Sequence, residues 1–441
     1  MSAPIPHDMV SNALRELRIG DPGRASIREI RRLVDLLEER SGVRFIRMEM
    51  GVPGLPTPSV AIEAETDALH AGVTAIYPPA AGIPDLKREI SRFARLFLNT
   101  KIDPSGCIPT VGSLGASFLS FLVLGTMREG ADTILLVDPG FPVHRQQATA
   151  LGLAVRGFDL ADHRGDRLRE ELDRLMADGR VAAVLYSNPN NPSWMCLTRN
   201  ELETIAAACR DHGAVPVEDL AYFAMDFRED FGRPGTPPYQ PSVAEYTDEY
   251  LLLISSSKIF SYAGQRIGML LVSDALAERE CEPLARRFPY TRFGDALVLG
   301  AVYAASAGVT HTAQHGLAAL LRSANDGLHS FRDDLRSYRD RAERMKRLFV
   351  DHGFSLVYDT DVDRPIGDGF YFTLTFEGLG SAGLVAELIP YGISAISLAG
   401  VGAAREGIRA CVSLVRDDQL PELGRRLDAF RTDHDRASRE S

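Results

Sequence analysis

The sequence predicts an α/β protein, with a large domain built on a mostly parallel sheet flanked by helices and a smaller α+β domain. Three observations carry this. Apolar runs such as "TILLVD" (133–138), "AAVLYS" (182–187), "AVPVED" (214–219) and "YLLLIS" (250–255) are continuous rather than alternating, the pattern of strands covered on both faces. Helical segments at 142–152, 167–177 and 199–212 separate most of them, and parallel neighbours need such crossovers. After about 310 the order changes to a long helical stretch followed by short strands, a different layer arrangement.

In chain order, two amphipathic helices are expected near 8–19 and 25–40, then a short strand "FIRMEM" and a Gly/Pro loop "GVPGLPTPS". Helices and buried strands alternate from about 58. "IGMLLVS" (267–273) follows "YLLLIS" too closely for a crossover, so it is expected to pair antiparallel at an edge. The Pro/Gly-rich excursion 228–248 is longer than a plain connection, as lids and interface elements often are. A helical stretch runs over 311–350. It leads to strands "FSLVY", "FYFTLTF" and "IRACVSL", with helices at 381–391 and 417–433. The expected division is 1–57 (an N-terminal arm and part of the small domain), 58–310 (large domain) and 311–441 (small domain).

Composition narrows the function. The 441 residues are 45% hydrophobic and 25% charged, with a net charge of −11. That balance, without a long basic run, argues against a nucleic-acid binder. No run of 18 apolar residues predicts a membrane span, and the N-terminal stretch lacks the pattern of a signal peptide. Five scattered cysteines, none in a C-x-x-C pair, suit reduced cytoplasmic thiols rather than disulfides or a metal site.

Lysine is scarce. Lys87, Lys101 and Lys346 read as solvated, and only Lys258 follows an apolar strand. Desolvation lowers an amine's pKa and makes it nucleophilic. Ligands of parallel α/β sheets bind at the carboxyl ends of the strands, so the residues at those ends form the inventory. They are Phe141 after "TILLVD", Asn188, Asn190 and Asn191 after "AAVLYS", and Glu218, Asp219 and Tyr222 at the end of "AVPVED". Ser255, Ser257 and Lys258 follow "YLLLIS", and Arg266 lies eight residues beyond the lysine. The turn "TVGSLGAS" opens a helix at Gly112, Ser113 and Leu114, whose backbone N–H groups can take an anion. An amine, a carboxylate, an amide, a phenol, an aromatic face and an anion cradle together are what pyridoxal phosphate needs.

Three segments then carry a resemblance. They are N-P-x-N-P ending at Pro192, "EDLAY" with Asp219 and Tyr222, and "SSSKIFSYAGQRIG" with Lys258 and Arg266. In this order they resemble the fold-type-I pyridoxal-phosphate enzymes of the class I/II aminotransferase family, from "YPPAAGIPDLKREI" (77–90) to "GIRACVSL" (407–414). The resemblance implies an aspartate-aminotransferase-like fold with 58–310 as the cofactor-binding domain. It implies a Schiff base on Lys258, which also acts as acid and base at the substrate Cα. Asp219 would keep the pyridine nitrogen protonated, Asn191 and Tyr222 would bond the ring oxygen, and Phe141 would stack on the ring. Ser113, Leu114 through its backbone, Ser255, Ser257 and Arg266 would hold the phosphate. Tyr77 would reach a neighbouring subunit's phosphate in a homodimer. Arg409 would clamp the substrate carboxylate, with Gly51 in the substrate loop.

The chain departs from the family at Ser193-Trp194, where Thr-Gly is usual. Trp194, the only tryptophan, either walls the substrate pocket or packs under the loop. The reaction implied is transamination of an amino acid. The same residues also support a lyase, a γ-elimination or replacement, or a C–C bond-forming enzyme on an S-adenosylmethionine-like amino acid. A non-catalytic effector-binding role would need a DNA-binding head, for which the mixed-charge residues before the core leave little room. Other motifs fall away. Ser255-x-x-Lys258 has no K-T-G companion, "HTAQH" lacks a metalloprotease glutamate, and "GVGAAREG" (400–407) precedes a strand rather than a helix.

Overall fold

Strands made of valine, leucine and isoleucine without polar alternation have no face to offer water, so helices must cover both sides. A computed structural model describes residues 3–440, with side chains to 435, so the outermost ends of the expected domains (1, 2 and 441) lie outside the described residues. The chain forms two compact units, Met1–Gly54 with Asn191–Met195 and Arg336–Ser441, and Leu55–Asn190 with Cys196–Leu335.

The larger unit holds seven strands, β1 (Cys107–Thr110), β2 (Thr133–Asp138), β3 (Ala154–Asp159), β4 (Val181–Ser187), β5 (Val215–Leu220), β6 (Leu251–Ser255) and β7 (Gly268–Val272). Their order is β1-β7-β6-β5-β4-β2-β3. The pairs from β3 to β6 are parallel, and β7 is antiparallel to both β6 and β1. The edge position expected for "IGMLLVS" is therefore corrected, because β1 covers it. β1 and β3 lack the continuous apolar signature: one is four residues with a proline, the other a half-exposed edge strand.

The longer α-helices of this unit are α1 (Ser59–His70), α2 (Pro84–Leu98), α3 (Gly112–Met127), α4 (Pro142–Ala150), α5 (Asp166–Met176), α6 (Arg199–His212) and α7 (His311–Asn325). α3 is apolar nearly all round and lies in the core, where Leu119, Phe121 and Leu124 join one cluster with Val217, Leu253 and Leu270. Its N-terminus is thereby fixed at the sheet's carboxyl edge. Thr198 and Glu201 form a capping box that starts α6. The helical stretch expected over 311–350 is two helices. Gly327, at φ 71, ends the first, and α8 (Phe331–Asp351) follows. α7 packs on α1 and α2, and this unit runs to Leu335.

The excursion after β5 is a strap fixed along its length. Gly235 and Gln240 N–H groups donate to the Leu96 and Phe97 carbonyls at 2.8 and 3.1 Å. The Gln240 amide oxygen accepts from Ala224 N–H at 3.1 Å, and Arg332 donates to the Phe227 and Glu229 carbonyls.

The smaller unit carries an antiparallel sheet of β8 (Phe354–Leu356), β9 (Tyr371–Phe376), β10 (Ile396–Ser397) and β11 (Ile408–Cys411), in the order β10-β11-β9-β8. Helices α9 (Ser381–Leu388) and α10 (Leu420–Glu440) belong to it, as do His7–Leu17 and Ile27–Ser41. Ile46–Arg47 pairs in parallel with Ile393–Ser394. Among the described residues no helix is long and apolar enough to cross a membrane.

Candidate active site

Sheet register sets the candidate residues in rows at the carboxyl edge of the larger unit. Asp219 of β5 lies opposite Ser187 of β4, whose hydroxyl donates to the Asp219 carboxylate at 3.4 Å. Ala221 N–H donates to its other oxygen at 3.1 Å. Asp219 is 6% exposed. The His144 Nε2 lies 3.8 Å from Oδ2. That imidazole is itself buried, and burial pulls its pKa down to about 4, so it stands neutral behind the acid. Burial pushes the Asp219 carboxyl up to about 7, against two hydrogen bonds that lower it. Phe141, at the N-cap of α4, meets the same imidazole edge-on at 5.7 Å. Phe141, His144 and Asp219 thus form one contiguous set, and Tyr222 is buried three residues beyond the acid.

A second row runs across Ser255 of β6, Gly268 of β7 and Thr110 of β1, which are register partners. Beyond Thr110, α3 begins at Gly112. A Cβ on Gly268 would stand 2.7 Å from the Gly112 carbonyl carbon and the Ser113 nitrogen, and one on Gly112 would stand 2.7 Å from the Arg266 guanidinium. Gly112 also has φ +66, where other residues are strained. These glycines let a helix start, a strand start and an arginine converge, with the Ser113 and Leu114 N–H groups at the first turn. Ser255 caps the one-turn helix Ser256–Ile259 by accepting from Ser257 N–H at 3.2 Å. Lys258 sits in that turn, half-buried.

Two of the other lysines, Lys346 with a side chain 13% exposed and Lys87, differ from the solvated reading. Lys101 is exposed, and Lys346 pairs with Asp368 at 2.7 Å. Lys87, read from sequence as solvated, is instead caged by the carbonyls of Ala81, Ser105 and Cys107 at 3.0, 3.2 and 2.6 Å. Burial pulls its pKa down to about 8.

Tyr77 is 91% exposed. Asn191, Trp194, Gly51 and Arg409 belong to the smaller unit. Arg409 of β11 lies opposite Thr373 of β9, so Tyr371 is its neighbour one rung along the same face. The guanidinium lies 4.7 Å from the Tyr371 ring centroid. Arg409 is 3% exposed and donates to the Glu49 carbonyl at 2.6 Å, while its Nε–H donates no hydrogen bond among the described residues. Gly51 faces the Tyr371 hydroxyl, leaving no room for a Cβ. The fully buried indole of Trp194 meets Tyr371 edge-on at 6.2 Å.

His144, Tyr371 and Glu49 are the site residues that sequence reasoning missed. His144 lies in the "PGFPVH" segment three residues after Phe141, a helical spacing that could have flagged it. His311 and His315 stack on each other, and no group of three metal-ligating side chains occurs among the described residues.

A mostly parallel sheet with a buried acid, a glycine-lined helix start beside an arginine and a lysine at its carboxyl edge has the layout of fold-type-I pyridoxal-phosphate enzymes. The chain belongs to the aminotransferase class I and II family, whose profile matches residues 44–427. It is 30% identical over 258 residues to the glutamate-pyruvate aminotransferase AlaC of Escherichia coli, covering 58% of this chain and 59% of that one. It is 27% identical over 234 residues to LL-diaminopimelate aminotransferase 2 of Trichormus variabilis, covering 52% and 57%. The alignments thus span under two thirds of these relatives. Among solved structures, an aspartate aminotransferase double mutant from Thermus thermophilus superposes with a TM-score of 0.74 at 19% identity, covering 94% of this chain and 98% of that one. An alanine aminotransferase from Pyrococcus furiosus gives 0.72 at 19%, covering 95% and 99%. At this identity the structures speak for the fold alone.

Proposed function

We propose that the protein is a pyridoxal-phosphate-dependent aminotransferase acting on an amino acid. The observation that carries this reading is Asp219, a buried carboxyl at the sheet's carboxyl edge with the neutral His144 imidazole 3.8 Å away. Such a group calls for a buried cation, and a protonated pyridine nitrogen supplies one. The cradle of Gly112, Gly268 and Arg266 fits the phosphate of the same molecule.

When bound, the cofactor supplies an electron-withdrawing ring that stabilises negative charge at the substrate Cα. Lys258 would hold the cofactor's aldehyde end and would serve as the acid and base that moves the substrate Cα proton. Asp219 keeps the proton on the ring nitrogen, and His144 shields that carboxylate from water. Asn191 and Tyr222 would bond the ring oxygen, and Phe141 would pack on the ring. Ser113, Leu114, Ser255, Ser257 and Arg266 bind the phosphate. Arg409 binds the substrate carboxylate, with Gly51 and Trp194 on the substrate side; a buried guanidinium with Nε unused supports that role. The exposed Tyr77 is contributed to a partner's phosphate in a homodimer. Five buried thiols outside any disulfide suit a cytoplasmic setting.

The test is a panel of amino acids mixed with the cofactor-loaded protein. Transamination releases a 2-oxo acid and bleaches the yellow absorbance, which a second 2-oxo acid restores. Release of ammonia with the absorbance retained would instead mark an elimination enzyme.

A further inference from the structure

We propose that Trp194 is a positioning residue for the substrate carboxylate, acting through Tyr371 on Arg409. The proposal rests on the reading of Arg409 as the carboxylate clamp. The chain of contact is continuous. The Trp194 indole lies against Gly369 so closely that a Cβ there would overlap its six-membered ring. The same indole meets Tyr371 at 70° and 6.2 Å. Tyr371 in turn lies under the Arg409 guanidinium at 4.7 Å, with its hydroxyl filling the space over Gly51. A guanidinium resting on an aromatic face is oriented as well as attracted. Moving the ring therefore moves the fork that a carboxylate must meet.

The backbone at this position makes the choice of residue informative. Trp194 has φ 66, the left-handed region that glycine adopts freely and other residues seldom do. A large aromatic held there against local preference is explained by what its ring does, and its ring touches the support of Arg409. Gly369 answers it from β9's approach, giving the indole a slot without a side chain. The sequence thus couples a bulky residue at 194 with the absence of one at 369.

The experiment compares how strongly the holoenzyme prefers an amino acid over the amine that lacks its carboxylate, using alanine against ethylamine and phenylalanine against phenethylamine. Trp194→Gly relieves the backbone and removes the ring. It should cut the preference by about three- to thirtyfold, the range of a cation–π contact, through KM more than kcat. Trp194→Phe should recover part of it. A variant that lowers the rates of acid and amine equally would overturn the proposal. Arg409→Ala is the control for the underlying reading: if it leaves the preference intact, the clamp assignment itself fails. If Arg409→Ala removes the preference and Trp194→Gly does not, the positioning role alone fails. The wild-type protein provides a test that needs no variant at 194. Its single tryptophan should change emission when 2-methylalanine, which has no Cα proton to lose, is added, and should not do so in Arg409→Ala. Emission that does not respond to saturating 2-methylalanine would also overturn the proposal.

Discussion

Asp219 carries a titration that can be read without substrate. Its folded pKa stands at about 7 against an ordinary 3.8. Across that window the folded, cofactor-free chain keeps a proton that the unfolded chain has lost, so stability falls as pH rises through it. Glu218, fully buried next to it and also pushed up to about 7, adds to the same slope. Asp219→Asn should flatten the slope and raise cofactor-free stability at pH 7 by on the order of 1–3 kcal/mol, while lowering transamination by about 10²-fold or more. Urea unfolding across pH checks the first part, and an unchanged slope would contradict it. Gly268→Ala tests the cradle. The added methyl meets the backbone of Gly112 and Ser113 at 2.7 Å, so phosphate affinity should fall about tenfold or more at a stability cost of about 1–3 kcal/mol, as titration with pyridoxal phosphate would measure. At this scale the candidate residues at strand ends were legible, because a polar residue closing an apolar run marks the edge of a sheet. His144 and Tyr371 were not, because each gains its meaning from a neighbour whose position depends on tertiary packing.

The elements show the same divide. Strands buried on both faces announced themselves by composition, whereas β1 and β3 did not, since a short strand with proline and a half-exposed edge strand carry no such signal. The strap over 228–248 read as a possible lid, yet hydrogen bonds to main chain hold it. Its end is fastened by Glu218, whose carboxylate accepts from the Ser242 hydroxyl at 2.6 Å and Val243 N–H at 3.0 Å. The same glutamate accepts from Asn188 at 3.5 Å, tying the strap to the segment that leads into Asn191. Ser242→Ala should therefore destabilise the protein by about 1–3 kcal/mol, the cost of a buried acceptor losing a partner. In the wild type, limited proteolysis should spare the strap with or without cofactor. Cleavage within it that cofactor suppresses would mark it as a lid after all.

For the whole molecule, the decisive questions are assembly and the identity of the reactive amine. Ile62, Leu69, Ile76, Tyr77, Leu299 and Tyr303 of the larger unit are large apolar side chains left exposed in the protomer, which favours association in water. If Tyr77 serves a neighbouring site, Tyr77→Ala and Lys258→Ala chains should each be impaired alone and regain activity when refolded together, because a mixed dimer holds one complete site. A mixture no more active than its parts would contradict the shared site. The central claim concerns Lys258, and the chain's four lysines make it unusually easy to test. Lys87 is the sharpest competitor, since its pKa is pulled down to about 8, but three carbonyls cage it. The most direct measurement is borohydride reduction of the cofactor-loaded protein followed by mass mapping of its peptides. The account predicts one pyridoxyl group, on the peptide carrying Lys258. A label on Lys87, Lys101 or Lys346, or none at all, would contradict it.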